Sequence, residues 1–465
     1  MTVLMTFHKA EKYAIRGQTL NEETKQFFHQ SFGNVRKVYN LYVALLYDIL
    51  EAAHYQGKEE LPAIKLPEVT TFKAQYDYLK ITDSLALANA KIAFEAAIKR
   101  YNKEYDHVSY TKRALRRAKE GTEPLTFRGL KGIPKFHARA RGFNSYKTNC
   151  QYGTTKAGSP TATIKLIRNR LYLPKLKDGI ELIIHRPMPS NAIIGNVTIS
   201  MDAENKYYAS VEYSYQCEMD DTLRKAALSH DETIIPRLRF LGLDYSQPDF
   251  YVDSEGRTAN YPRYYKKSEM KLARMQRRLS HMQGGQKDAE DSKNYARQRE
   301  LIKRLHVKIK NQRKDFVCKE AKKLADQYDV IVVEDIDLRG MGSALKLGKN
   351  LHDNGFGMFR VKLAHKLEQK GSVLVKIDKW YPSTKTCGCC GYVNPDVTLG
   401  VSAWTCPQCH TEHMRDVNAA VNIREEGKRQ FLDYFRLWLE EDEKAKNRAA
   451  TLSAARKNKK QKKAA

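Results

Sequence analysis

Two groups of residues in this chain have the type and spacing to do chemistry. The first is a set of cysteines. Cys387/Cys390 and Cys406/Cys409 form two Cys-x-x-Cys pairs with 15 residues between them. Such turns present four thiolates, the set that closes a tetrahedron around Zn²⁺, and the spacer falls in the zinc-ribbon range. Cys389 offers the first pair another register, but Gly391 suits the turn that follows Cys390. His410 and His413 are alternative ligands nearby; four thiolates are the expected set, and a closed site of that kind is structural, not hydrolytic. The second group is acidic. Asp244 ends the run Arg239-Phe240-Leu241-Gly242-Leu243, Glu334 ends Val330-Ile331-Val332-Val333, and Asp416 stands seven positions after Cys409. Three anions from separate segments are costly in a folded core unless a cation joins them. Carboxylate oxygens select Mg²⁺ or Mn²⁺, and two such ions can activate water and stabilise the leaving oxygen in phosphodiester cleavage. By pattern alone Asp249, Asp253, Asp335, Asp337 and Asp378 remain alternatives.

These residues need elements to position them. Residues 239–244 read as a strand, and the β-branched run 330–333 reads as a strand buried on both faces. A hairpin is expected over 245–257 with Ser254-Glu255-Gly256 as its turn. Two long basic helices follow over 264–328, broken near Gly284-Gly285. Leu272, Met275, Leu279, Met282, Leu301, Leu305 and Ile309 mark their inner faces, with Arg277, Arg278 and Arg304 among the outer residues. A helix at 355–370, a strand at 372–378 and a helix at 419–440 complete this half. Residues 444–465 carry nine Lys/Arg and no acids, which predicts a disordered tail.

The N-terminal half has a different texture. Residues 2–16 read as a strand, and a helix starts near Asn21, a capping residue followed by Glu22 and Glu23. Residues 70–120 read as helical, with Leu79, Leu85, Leu87, Ala90, Ile92, Phe94 and Ile98 as the buried face. Lys112, Arg113, Arg116 and Arg117 belong to a basic run, and Arg139 and Arg141 to a Gly- and aromatic-containing stretch that could hold phosphates and stack bases. From 162 to 215 the pattern has period two, which predicts a small antiparallel β-barrel or sheet that includes the first strand.

The bulk numbers agree with a nucleic-acid partner. The chain has 465 residues, 82 Lys+Arg against 54 Asp+Glu, and a formal charge of +28. Five of eight cysteines lie within 387–409, unlike a secreted disulfide scaffold. Neither a signal peptide nor a membrane-spanning run is visible, so an intracellular location with no membrane partner is the expected default.

The motifs converge on one family. Gly242-Leu243-Asp244, Val333-Glu334-Asp335, Tyr381-Pro382-Ser383-Thr384-Lys385-Thr386-Cys387 with Cys390-Gly391, and Cys406/Cys409 followed by His413, Arg415-Asp416, Asn418-Ala419-Ala420 and Asn422-Ile423 resemble the TnpB proteins of bacterial transposons and their relatives, the compact type V CRISPR effectors. The match covers roughly residues 239–425. In the looser N-terminal half, Pro134-Lys135-Phe136 and Leu173-Pro174-Lys175 to His185-Arg186-Pro187 look similar. Tyr245-Ser246 departs from the Leu-Gly that many relatives carry there.

The resemblance implies an RNA-guided DNA endonuclease that cleaves double-stranded DNA complementary to a guide RNA, with Asp244, Glu334 and Asp416 as the Mg²⁺-binding catalytic acids. It chooses Glu334 over Asp335. The implied α/β multidomain fold has an RNase H-like RuvC core with an inserted zinc ribbon, plus an N-terminal wedge β-barrel holding an inserted helical recognition domain. The corresponding segments are 1–17 and 124–238 (wedge), 18–123 (recognition), 239–380 and 413–440 (nuclease), 381–412 (ribbon) and 441–465 (tail). The alternatives are a compact type V effector using a CRISPR RNA and a non-cleaving nucleic-acid-binding regulator. A monomer is the default oligomeric state.

Overall fold

The computed structural model describes residues 2–55, 65–104, 133–138, 144–154, 160–176, 178–202, 204–246, 248–282, 292–336, 355–398 and 400–461. Lys112, Arg113, Arg116, Arg117, Arg139, Arg141, Asp337 and the Gly284-Gly285 break lie outside these residues. The chain forms two compact units, Thr6–Gln216 and Met1–Met5 with Cys217–Ala465.

In the first unit, Asn21 Oδ1 accepts the Thr24 N–H at 2.8 Å and so caps helix α1 (Glu22–Tyr55). Helix α1 packs through Tyr42, Val43 and Leu46 on Leu87 and Phe94 of α3 (Ser84–Glu104). The helical stretch expected from residue 70 is interrupted: α2 (Val69–Gln75) ends, and a short 3₁₀ turn precedes α3. Ile92 is 52% exposed, because the buried row runs Leu87, Ala90, Phe94, Ile98 and places it outside that stripe.

Among the described residues, nine strands follow the period-two pattern: β1 (Thr2–Ile15), β2 (Ser145–Asn149), β3 (Tyr152–Thr154), β4 (Pro160–Ala162), β5 (Lys165–Ile167), β6 (Arg170–Tyr172), β7 (Ile180–Ile183), β8 (Ile193–Met201) and β9 (Tyr207–Asp220). Seven of them form one sheet in the order β2-β8-β9-β1-β7-β6-β5, so the first strand joins the later ones as expected. Strand β2 lies before residue 162, where the period-two pattern was expected to begin; its Tyr146 and Thr148 are buried.

The second unit is built on a four-stranded sheet of β10 (Phe240–Ser246), β11 (Phe250–Asp253), β12 (Val330–Glu334) and β13 (Leu374–Ile377). Its order is β11-β10-β12-β13. β10, β12 and β13 run parallel, and β11 is antiparallel at the edge. β10 ends at Ser246 and β11 begins at Phe250, so Ser254-Glu255-Gly256 is not the turn between them but one that follows β11 and leads to the bridge Val252↔Thr258. The two faces of the sheet are covered by different helices. Leu241, Leu243, Ile331 and Val333 pack on Val317 and Leu324 of α6 (Lys293–Gln327) and Phe359 of α7 (Phe356–Glu368). Phe240, Val330 and Val332 pack on Ile423, Phe431 and Phe435 of α8 (Arg415–Gln461), beside Ala227 of α4 (Thr222–Ser229). Each such side chain stabilises the fold by ~1.5–3 kcal/mol relative to exposure. The basic helices are α5 (Tyr264–Met282) and α6; Leu272 and Ile309 are buried, but Leu301 is 43% exposed and is not part of the inner face.

Helix α8 begins earlier than expected and continues to Gln461, through residues expected to be disordered. Its last stretch is rich in Ala, Lys and Arg, all strong helix formers. Among the described residues no helix is long and apolar enough to cross a membrane.

Candidate metal centre and carboxylate cluster

Side chains alternate along β10, so Asp244 points to the same face as Phe240 and Gly242, the face covered by α8. On β12 the same alternation puts Glu334 with Val330 and Val332 on that face. Leu243 pairs with Val333 in parallel register, which makes Asp244 and Glu334 the next residues along, on adjacent strands. Asp416 lies in the first turn of α8. Helix α8 meets the sheet at Gly242, where a Cβ would lie 2.1 Å from the Ala420 carbonyl oxygen. Asp416 is one turn before Ala420 on the same helical row, and Asp244 is two residues beyond Gly242 on the same strand face. The close crossing therefore carries Asp416 toward Asp244. A second glycine, Gly427, makes the matching approach to β12: a Cβ there would lie 2.3 Å from Val332 Cγ2.

The electrostatics follow this placement. Burial, then the Glu334 carboxylate, then that of Asp416 push Asp244 well above the usual carboxylate range. Burial also raises Glu334, and a hydrogen bond from the Ser383 hydroxyl, 2.5 Å from Glu334 Oε1, partly offsets it. Arg415 holds Asp416 Oδ1 through Nε and a second nitrogen, at 2.8 and 2.7 Å. Asp244 thus sits within the field of both other acids. The oxygens of the three acids do not converge as tightly as the cysteines: among the described residues, Cys387, Cys390, Cys406 and Cys409 are the one group of three or more such side chains whose ligand atoms all lie within 4.8 Å of one another.

The other acids considered from sequence have local tasks. Asp253 accepts the backbone N–H groups of Glu255 and Arg257 and pairs with the Arg257 guanidinium. Asp335 lies 3.7 Å from both Arg360 and Lys376, Asp378 accepts the Trp380 N–H, and Asp249 pairs with Ser246. Tyr245, at the departure from the family pattern, packs on Phe356 with ring centroids 4.8 Å apart.

The cysteine sulfurs fit a tetrahedral ion. Cys387–Cys409 and Cys390–Cys406 are each 3.6 Å apart, and four sulfurs at ~2.3 Å from Zn²⁺ would stand about 3.8 Å apart. His413 Nε2 lies 3.0 Å from Cys387 Sγ, beside the ligand set and not in place of a thiolate. Hydrogen bonding to the Thr411 side chain and backbone draws the Cys409 thiol down to about 6. Strands β14 (Ala403–Thr405) and β15 (Glu412–Met414) pair around the second knuckle, with Trp404 and Val397 in its small core.

Two asparagines, to which the sequence motifs give no role, connect these two centres. Asn418 Oδ1 accepts the Gly388 N–H at 2.9 Å, and its amide donates to the Thr386 carbonyl at 2.7 Å. Asn422 donates to the Ser383 and Thr386 carbonyls at 2.8 and 2.6 Å. Both asparagines are 5% exposed. A pair of asparagines at i, i+4 inside a helix, where Asn is a weak former, was the available signal. Of the residues expected to contact nucleic acid, Arg277 and Arg278 are exposed on α5 and Arg304 is exposed on α6, paired with Glu300 at 3.4 Å. The remaining six lie outside the described residues.

Comparison with known proteins agrees with these motifs. Residues 214–344 match the family model OrfB_IS605, described as "Probable transposase", and residues 356–423 match the Cas12f1-like TNB domain. A Streptomyces pristinaespiralis protein named "Putative RNA-guided DNA endonuclease" is 31% identical over 55% of this chain and 58% of its own length. InsQ of Escherichia coli K12, with the same name, is 26% identical over 55% of this chain and 61% of its own. The match thus spans about three fifths of these relatives. A Cas12f1–sgRNA–target DNA complex aligns at 14% identity and a TM-score of 0.29, over 90% of this chain and 99% of that one. Across residues 214–344 and 356–423 this chain resembles the TnpB proteins and the compact type V effectors related to them.

Proposed function

We propose that this protein is an RNA-guided DNA endonuclease whose nuclease centre is formed by Asp244, Glu334 and Asp416 on a RuvC-type, RNase H-like sheet. The observation that carries the reading is the placement of these acids: two side by side on neighbouring parallel strands and one in the first turn of the helix that crosses them at Gly242. Two raised carboxyl groups on one face are poor as free anions and good as cation ligands. The three acids would hold Mg²⁺, whose chemistry is to activate water and stabilise the leaving oxygen of a phosphodiester. Ser383 holds the Glu334 carboxylate in one orientation, and Arg415 holds the Asp416 carboxylate through two nitrogens.

The four cysteines are read as a structural Zn²⁺ ribbon, and the exposed arginines of α5 and α6 as contacts to the RNA or target-DNA backbone. Sequence selection then belongs to base pairing with the guide. The Cas12f1-like description of residues 356–423 keeps a CRISPR-derived guide as a second source for that RNA. Co-purified RNA, once sequenced, separates a transposon-end transcript from a repeat-derived one.

The direct test is cleavage of a double-stranded target by the chain purified with its RNA, with and without Mg²⁺. Cutting that requires Mg²⁺ and is lost in Asp244→Ala is the expected result. Equal cutting by Asp244→Ala overturns the assignment of the acids.

A further inference from the structure

Resting on the nuclease reading, we propose that Trp380 and Lys379 form a subsite for single-stranded DNA beside the carboxylates, the indole stacking on a base and the ammonium meeting its phosphate. Trp380 is 79% exposed, in a unit whose other large aromatics are mostly in its cores. Its backbone is nonetheless fixed: its N–H donates to Asp378 Oδ1 at 2.8 Å, and the Tyr381 N–H to the Asp378 carbonyl at 3.1 Å. A rigid turn that displays an indole in water loses apolar burial and gains nothing in folding, so its compensation lies in a ligand.

Three further observations indicate what that ligand is. Lys379 Nζ stands 5.0 Å from the ring centroid, which couples a cation to the aromatic face. The same turn borders a cleft of about 530 Å³ lined by Asp335, Ile336, Lys376, Ile377, Asp378 and Lys379, at the ends of the two strands after Glu334 and Ile377. Three residues beyond Trp380, Ser383 donates to Glu334, so the turn continues straight into the carboxylate cluster. An aromatic face with adjoining lysines is the chemistry of single-strand binding, where stacking tolerates any base. Duplex DNA hides its base faces, so the subsite selects an unpaired strand.

The test uses the full chain with its RNA, with Ca²⁺ in place of Mg²⁺ so that binding is read without cutting, and a short oligothymidine as probe. Stacking is worth enough that Trp380→Ala should weaken binding roughly five- to hundredfold, while Trp380→Tyr stays within about threefold. Of the other two tryptophans, Trp404 is buried and Trp438 is partly buried against Phe435 on α8, so most of the tryptophan quenching on addition of DNA should disappear in Trp380→Phe. Lys379→Ala should lower the slope of log affinity against log salt by about 0.7, the value for one phosphate on a single strand. Unchanged affinity and quenching in the Trp380 variants, with melting temperatures equal to wild type, overturns the subsite. If wild type binds in this way but never cuts, the nuclease reading fails and the subsite stands. If wild type cuts and Trp380→Ala matches it in KM and kcat, the subsite alone fails.

Discussion

Gly242 and Ala420 approach so closely that no side chain fits between strand β10 and helix α8: a Cβ on Gly242 would sit 2.1 Å from the Ala420 carbonyl oxygen and 2.7 Å from the Arg424 nitrogen. Both obstacles are backbone. Gly242→Ala must lift the helix and with it Asp416. Such overpacking costs about 1–3 kcal/mol or more, and cleavage should fall further than the melting temperature alone implies. Full activity in Gly242→Ala would show that the crossing does not set the acids.

Gly427 gives the complementary case, because its obstacle is the Val332 side chain. Gly427→Ala should destabilise the protein, and adding Val332→Ala should recover part of the loss despite its own cavity cost. A thermal-denaturation double-mutant cycle measures this. Strict additivity would contradict the contact.

The raised carboxyl groups fix a pH dependence. A carboxyl whose folded pKa exceeds its unfolded value stays protonated in the native state while the unfolded chain ionises. Wild-type stability therefore falls as pH rises from the ordinary carboxylate range through the raised value of Asp244. Asp244→Asn removes this penalty. Its melting temperature without divalent cations should exceed that of wild type at pH 8, by roughly 2–4 °C per kcal/mol relieved, and the gap should close toward pH 4. A constant gap across pH would assign the effect to packing.

Ser383 favours the ionised form of Glu334 by hydrogen bonding to it. Ser383→Ala should raise the Glu334 pKa and move the acid limb of the cleavage–pH profile to higher pH. A uniform rate loss with no displacement of the limb would leave Ser383 without a part in tuning Glu334.

Metal content tests the ribbon. The full chain should carry one zinc, and Cys406→Ser should lose it; without the ion, the segment held by Asn418 and Asn422 should become open to proteases around 383–410. Zinc retained at wild-type stoichiometry in Cys406→Ser would refute the four-thiolate set.

The unbroken β-branched run 330–333 and the apolar residues before Asp244 made the two central strands readable, and the cysteine spacing made the ribbon readable. Both signals are local. The three acids were nameable only through the family motifs, since Asp335 and Asp378 end strands equally well; what separates them is which face of the sheet α8 covers, a long-range fact. Ile92 and Leu301 were misassigned because an apolar residue beside a helical stripe looks like a member of it. The end of α8 was misread because charge composition was weighed above helix propensity. Trp380 lay inside a recognised segment without a role, because sequence does not disclose that an indole is in solvent.

Helix α8 follows every strand of the sheet it covers. During synthesis, β10, β12 and β13 emerge with Phe240, Val332 and Val375 uncovered until the residues through Phe435 have been made. At ~5–20 residues per second that interval lasts for seconds. A ribosome-bound chain in this state lacks Asp416 as well, so helix α8 both completes the core and withholds the third acid until the ribbon before it has been made. A product terminated before that point would be sticky and, on the proposed nuclease reading, inactive.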